Sequence, residues 1–329
     1  MPSSTTSFAE QLSGVHVNPL ERRVPLGMWP SPVQSLPDLR EGLWVKDDGV
    51  CHEVYGGNKV RKLEYLLAGA EKRIVTFGAM GSHHALATAV HATARGHQVV
   101  VVNHPRHHTS HAEAVLRATL KLAEVHRFDS HEDALIALQE LGEGATVIPA
   151  GGSTPIGALG FVRASLELAD QISAGLLPVP RRIFVAAGSA GTLAGLAVGL
   201  KLAGLETRVI GVRVVPEAWM SRDFIQSLCD HTAALLGMTS GQWTIEDRWL
   251  GAGYSATTPE AEDALARAGS CGLHLETCYT AKALAAAMAA DGPGPDLFWQ
   301  THNQAVLDPL LESAPLANPA QWPWQALES

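Results

Sequence analysis

The chain has 329 residues, 46% of them apolar and 17% charged, which suits about two packed domains and excludes a disordered polymer. A net charge of −9, a pI near 5.9 and the lack of a long basic run argue against a nucleic-acid partner. No apolar run is long enough for a membrane span.

Met1-Pro2-Ser3-Ser4-Thr5 leads into no apolar stretch, so no secretory leader is expected. The most informative stretch is Gly56-Gly57-Asn58-Lys59-Val60-Arg61-Lys62-Leu63-Glu64-Tyr65, where a lysine opens a helix pattern. A cation is disfavoured at the positive end of a helix dipole, by about 0.3–1 kcal/mol at exposed sites. The same field favours the neutral amine, the form that attacks a carbonyl. The competing reading, which charge logic alone favours, is a glycine turn followed by a basic, solvated helix surface.

From residue 73 the pattern alternates strand and helix. Strands are expected at Ile74–Phe77, Val99–Val102, Thr146–Ile148, Ile183–Ala186 and Val209–Val212. Helices are expected over Ala85–Ala94, Ala112–Leu122, Glu132–Leu141 and Leu193–Leu202. Short β-branched runs between helices predict α/β architecture, with parallel sheets covered on both faces. Ligands in such folds bind beyond the carboxyl ends of the strands.

Three strands run into small-residue turns: Gly78-Ala79-Met80-Gly81-Ser82-His83-His84, Pro149-Ala150-Gly151-Gly152-Ser153, and Ala187-Gly188-Ser189-Ala190-Gly191-Thr192. The third opens a helix, so its amides, the helix dipole and the hydroxyls of Ser189 and Thr192 can converge on an anion. A plain tight turn fits the same residues. No Walker lysine follows, the spacing is not GxGxxG, and no acid ends the next strand, which favours one phosphomonoester over a nucleotide. The fifteen histidines show no HExxH, and pairs such as His107-His108 read as solvated loop residues, so no metal site is expected. Cys51, Cys229, Cys271 and Cys278 form no CxxC pair and read as free thiols, which suits a cytoplasmic setting. The tail Pro315–Ser329 reads as an extended segment docked by its tryptophans.

An imine-forming lysine, a one-phosphate cup and a parallel sheet point together to pyridoxal 5'-phosphate. The stretch Gly56–Glu64 resembles the cofactor-lysine motif of the 1-aminocyclopropane-1-carboxylate deaminase and D-cysteine desulfhydrase family, of the tryptophan-synthase-β-like fold type II. Ser31-Pro32-Val33, Trp44–Asp48, Gly151-Gly152-Ser153 with Gly157 and Gly160, Gly188–Leu196, and Cys278–Ala283 extend the resemblance along most of the chain.

The resemblance implies roles. Lys59, beside Asn58, would carry the cofactor as a Schiff base and move the substrate's proton, and Gly188, Ser189, Ala190, Gly191 and Thr192 would hold the phosphate. Ser82, His83 and His84 would face the substrate, with Ser82 at its carboxylate or assisting proton transfer, and His83 at the cofactor's phenolic oxygen. Tyr279 and Tyr254 would line the other side. Thr301 would meet the pyridine nitrogen, with Thr280 as runner-up.

The departures fall on the substrate side. His83 replaces an expected asparagine, an expected arginine two places after His84 is missing, and His302-Asn303 replace two glycines. Thr277-Cys278 stand where aspartate-proline is expected.

The leading expectation is a lyase for a small amino acid, acting by β-elimination or deamination, with Thr280 tilting toward the desulfhydrase side. β-Replacement in a specialised pathway is the alternative. A catalytically silent binding or partner protein on the same fold is the non-enzymatic one, and a histidine-based metal hydrolase is the most distant. Residues 59–163 are expected to form a small domain, and 1–58 with 164–329 the larger one, with the cofactor between them and closure excluding water. A homodimer is implied by the resemblance alone.

Overall fold

The computed structural model describes residues 18–316 and 322. Two parallel sheets organise the chain. The first comprises β1 (Val33–Ser35), β2 (Leu43–Asp47), β7 (Arg182–Ala187), β8 (Arg208–Arg213), β9 (Trp243–Glu246) and β10 (Asp296–Gln300), in the order β1-β2-β10-β7-β8-β9. Only β1 runs antiparallel to its neighbour. The second sheet has the order β5-β4-β3-β6, from β3 (Arg73–Ala79), β4 (Gln98–His104), β5 (Glu124–Arg127) and β6 (Thr146–Ile148), all parallel.

Alternation along the strands explains why both faces are covered. In β7, Ile183, Val185 and Ala187 enter one core, while Phe184 enters the other. In β4, Val99 and Val101 face one layer and Val100 and Val102 the opposite one. The layers come from α2 (His83–Ala94), α3 (Ser110–Leu122) and α4 (His131–Leu141) on the smaller sheet. The larger sheet is covered by α6 (Gly191–Leu202), α7 (Arg222–Ala234), α8 (Pro259–Ser270) and α9 (Thr280–Met288). Strands and helices expected between residues 73 and 212 are present, with their ends within two residues of expectation.

Several elements went unread, among them α7, α8, α9, β5, β9 and α5 (Pro155–Ser173). β5 and β9 are short runs of mixed polarity, Glu124–Arg127 and Trp243–Glu246, with no apolar block to announce them. The segment with Gly157 and Gly160 lies inside α5. A Cβ on Gly160 would lie 2.2 Å from the Arg61 carbonyl, so the glycine permits close helix contact rather than a bend. Phe161, Ala164 and Leu168 of α5 join the core beneath the larger sheet.

Among the described residues no helix is long and apolar enough to cross a membrane. The leader segment expected to be absent lies outside the described residues, as does most of the tail. Within that tail, Trp322 has the Arg127 guanidinium 5.3 Å from its ring centre.

Candidate active site

The lysine that opens α1 (Asn58–Leu66) is positioned by the loop after β10. Gly57 has φ +92°, and a Cβ there would lie 2.7 Å from the Thr301 carbonyl, which accepts the Asn58 amide at 3.1 Å. Asn303 Oδ1 accepts the Gly56 amide at 2.6 Å. Lys59 Nζ donates to Asn58 Oδ1 at 2.7 Å, and burial pulls its pKa down to about 8 against a smaller upward pull from Glu276.

The basic, solvated surface expected of this helix does not exist. Arg61, Lys62 and Glu64 are each only 2% exposed. Arg61 donates to Asp48 at 2.8 and 2.9 Å and to Glu167 at 2.9 and 3.0 Å, and its guanidinium lies 3.7 Å over the Trp29 ring. Lys46 donates to Glu167 at 2.6 Å. Burial alone would raise the Glu167 pKa, yet Arg61 and Lys46 outweigh it and hold it at about 2. Glu64 accepts from the Leu26 amide and Trp29 Nε1. These bonds tie α1 to the β2 end, α5 and the N-terminal segment, so Lys59 stands on a rigid base.

Lys62, one turn past Lys59, turns to the anion cup and donates to the Gly151 carbonyl at 3.0 Å and Ser153 Oγ at 3.3 Å. Burial, then Lys59, holds its pKa well below the ordinary value. In the cup, Ser189 Oγ meets Ser153 Oγ at 2.8 Å, and Ser153 Oγ accepts the Gly191 amide at 3.1 Å. Thr192 Oγ1 accepts from Asn58 Nδ2 at 3.0 Å, which leaves its own proton free to donate. Ala190, at φ +62°, turns the chain into α6. A buried lysine among hydroxyls at a helix N-terminus suits a phosphate, so these residues fit pyridoxal phosphate.

Every residue expected in the site lines one cavity of about 660 Å³ with Lys59. Ser82 caps α2 through the Ala85 amide at 3.3 Å. His83 has both ring nitrogens engaged, Nδ1 with the Tyr55 hydroxyl and Nε2 with His111 Nε2 at 2.9 Å. Its expected bond to the phenolic oxygen therefore competes with two existing partners. His84 is buried and meets Thr76 Oγ1 through Nε2 at 3.1 Å. Burial and neighbouring cations keep both imidazoles well below their usual pKa. The reading of solvated histidines is corrected for His104, His131 and His302, which line the cavity with His83 and His84.

Tyr254 and Tyr279 share a hydroxyl bond of 2.7 Å, and burial first raises both pKa values, so each stays protonated. Thr280 Oγ1 donates to Glu276 Oε1 at 3.1 Å. Glu276 also accepts the amides of Cys278, Tyr279 and Thr280, which fixes the start of α9. Thus an acid does precede the late tyrosine, three places before it. Sequence reading missed Glu276, Lys62 and Arg106. The acid ahead of a helix start and the i, i+3 spacing from Lys59 would have found the first two. Arg106 sits in the loop after β4 without a sequence signal. It lines the cavity, and its buried Nε has no hydrogen-bond partner among the described residues.

A low-pKa lysine facing a cation-lined anion cup, at the strand ends of parallel sheets, defines an enzyme that holds a phosphorylated aldehyde through one amine. The chain belongs to the family described as pyridoxal-phosphate dependent enzyme, which matches residues 24–296. Pyridoxal 5'-phosphate is its cofactor, and its fold is that of the type II members. It is 34% identical over 279 residues to D-cysteine desulfhydrase of Yersinia enterocolitica, covering 78% of this chain and 84% of that one. It is 33% identical over 310 residues to Nocardicin C-9' epimerase of Nocardia uniformis subsp. tsuyamanensis, covering 85% and 92%. The crystal structure of an ACC deaminase homologue superposes with a TM-score of 0.75 at 30% identity, covering 91% of this chain and 99% of that one.

Proposed function

We propose that this enzyme removes the α-proton of an amino acid and expels a β substituent, in an elimination or deamination. The observation that carries the reading is Lys59, a buried amine with a pKa of about 8 in the same cavity as the anion cup. Bound pyridoxal phosphate supplies the electron sink that makes the α C–H bond acidic. Lys59 takes that proton. Lys62, Ser153, Ser189 and Thr192 hold the phosphate. Arg106, with an unpaired buried Nε, holds the substrate carboxylate as a bidentate partner, and Ser82 adds a hydroxyl. Tyr279, kept protonated beside Tyr254, donates a proton to the leaving group. Thr280 is committed to Glu276, so Thr301 is the hydroxyl assigned to the pyridine nitrogen.

A second reading is inversion at the same carbon. It draws on the likeness to Nocardicin C-9' epimerase, and on a proton donor, Tyr279, that is separate from Lys59 in the cavity. The four-stranded unit closes over the cleft in either case. We place α5 with the larger unit because of Phe161, Ala164 and Leu168, which moves the boundary from Arg163 back toward Pro155. Four free cysteines suit the cytoplasm. The proposed homodimer rests on the family resemblance and is read by sedimentation.

The test is the visible absorbance of the loaded protein and of Lys59→Ala and Arg106→Gln, with a panel of amino acids in D₂O. A cofactor band lost in Lys59→Ala, with loss of the substrate's α-proton in the wild type, supports the reading. Keto acid then means elimination, and the opposite enantiomer means inversion. Arg106→Gln should keep the band and weaken amino-acid binding at least tenfold. A band unchanged by Lys59→Ala would sink the assignment.

A further inference from the structure

The cavity does not end at the reacting groups. Its outer, solvent-exposed lining carries two largely apolar groups of side chains, one beside each sheet. Leu135 and His131 of α4, with Phe77 of β3, form the first, and Trp219 and Phe224 form the second. We propose that this outer reach is a subsite for an aromatic side chain of the amino-acid substrate. The inference rests on the reading that Lys59 works at that substrate's α-carbon.

Three observations carry it. Trp219 is 56% exposed, Phe224 46% and Leu135 42%, on facing walls of one cavity. Isolated exposed apolar residues need no cause, but three across a cleft mark a surface that something covers. The rings also form a continuous path. Phe77 stacks on His104 at 5.2 Å, His104 meets His131 at 4.7 Å, and His131 lies 11° from parallel to Trp219 at 6.3 Å. Trp219 then contacts Tyr254 at 5.4 Å, whose hydroxyl bonds Tyr279 beside the cup. The apolar wall is therefore joined to the cofactor end, where an α-carbon must sit. Finally, none of the described residues that form these walls is a carboxylate, and burial with His131 as neighbour keeps His104 neutral, its pKa lowered to about 4. An uncharged ring fits this lining by stacking and edge contacts. A three-carbon amino acid would leave it empty.

Phenylalanine and alanine both lack a β leaving group, so each binds the loaded enzyme without elimination. Calorimetric titration should show one phenylalanine enantiomer binding at least tenfold tighter than either alanine. In Trp219→Ala that advantage should fall about tenfold, with alanine affinity unchanged, which also shows that the variant folds. Alanine binding as tightly as phenylalanine in the wild type would overturn the subsite and leave the lyase reading standing. An equal loss for both ligands in Trp219→Ala would overturn it too, by making Trp219 a closing contact. Binding of neither amino acid would overturn both readings together.

Discussion

At the scale of single residues, Lys59 decides the chemistry by its environment. With a pKa of about 8, about one such lysine in ten is unprotonated at pH 7, against roughly one in three thousand for an ordinary lysine. Only the neutral amine attacks an aldehyde. Capture of pyridoxal phosphate by cofactor-free protein should therefore speed up as pH rises from 6 to 9, with a midpoint near 8. A stopped-flow absorbance series reads it, and a rate still climbing tenfold per unit at pH 9.5 would mean an unperturbed lysine. Burial acts on Lys62 in the same direction and disfavours its charge in the empty cup, so a phosphate bound there would favour the ammonium.

At the scale of elements, α1 is anchored through charges that no amphipathic pattern predicts. Arg61 sits between Asp48 and Glu167, with the Lys46 ammonium on the same carboxylate. Arg61→Met would leave two buried carboxylates short of a cation, at a cost of about 3–5 kcal/mol. A thermal or urea transition should fall accordingly, while a shift under 1 kcal/mol would show that water replaces the guanidinium. The acid limb follows from Glu167. Its folded pKa of about 2 lies below the ordinary 4.5, so the folded state is favoured above pH 4.5. That contribution is lost as pH falls from 4.5 toward 2. In Glu167→Gln the loss over this window should be smaller, as urea midpoints at pH 3 and pH 6 would show.

At the scale of the whole molecule, the cavity lies between two sheets, and its walls come from both. Asn58, Lys59 and Lys62 stand on α1, which contacts both units, while the cup opens α6 of the larger one. Closure of the four-stranded unit would shield the deprotonated α-carbon from water. Small-angle scattering should give a smaller radius of gyration when a non-reacting amino acid binds the loaded protein. An unchanged radius would mean a cleft that works open.

What the sequence by itself determined was whatever depends on local pattern. β-Branched runs set the strands, while the small-residue turns and the lysine after Asn58 marked candidate sites that turn and charge logic alone left open. Tertiary structure decided the rest, because burial and partnership come from residues far apart in the chain. Glu167 buries Arg61 from 106 positions away, and Thr301 holds Asn58 from the far end of the fold. His83 lost its expected freedom to Tyr55 and His111. Arg106 and Trp219 gained their meaning only when two sheets folded toward each other. A charge or an aromatic ring reads alike in sequence whether solvated or buried, and only packing distinguishes the two.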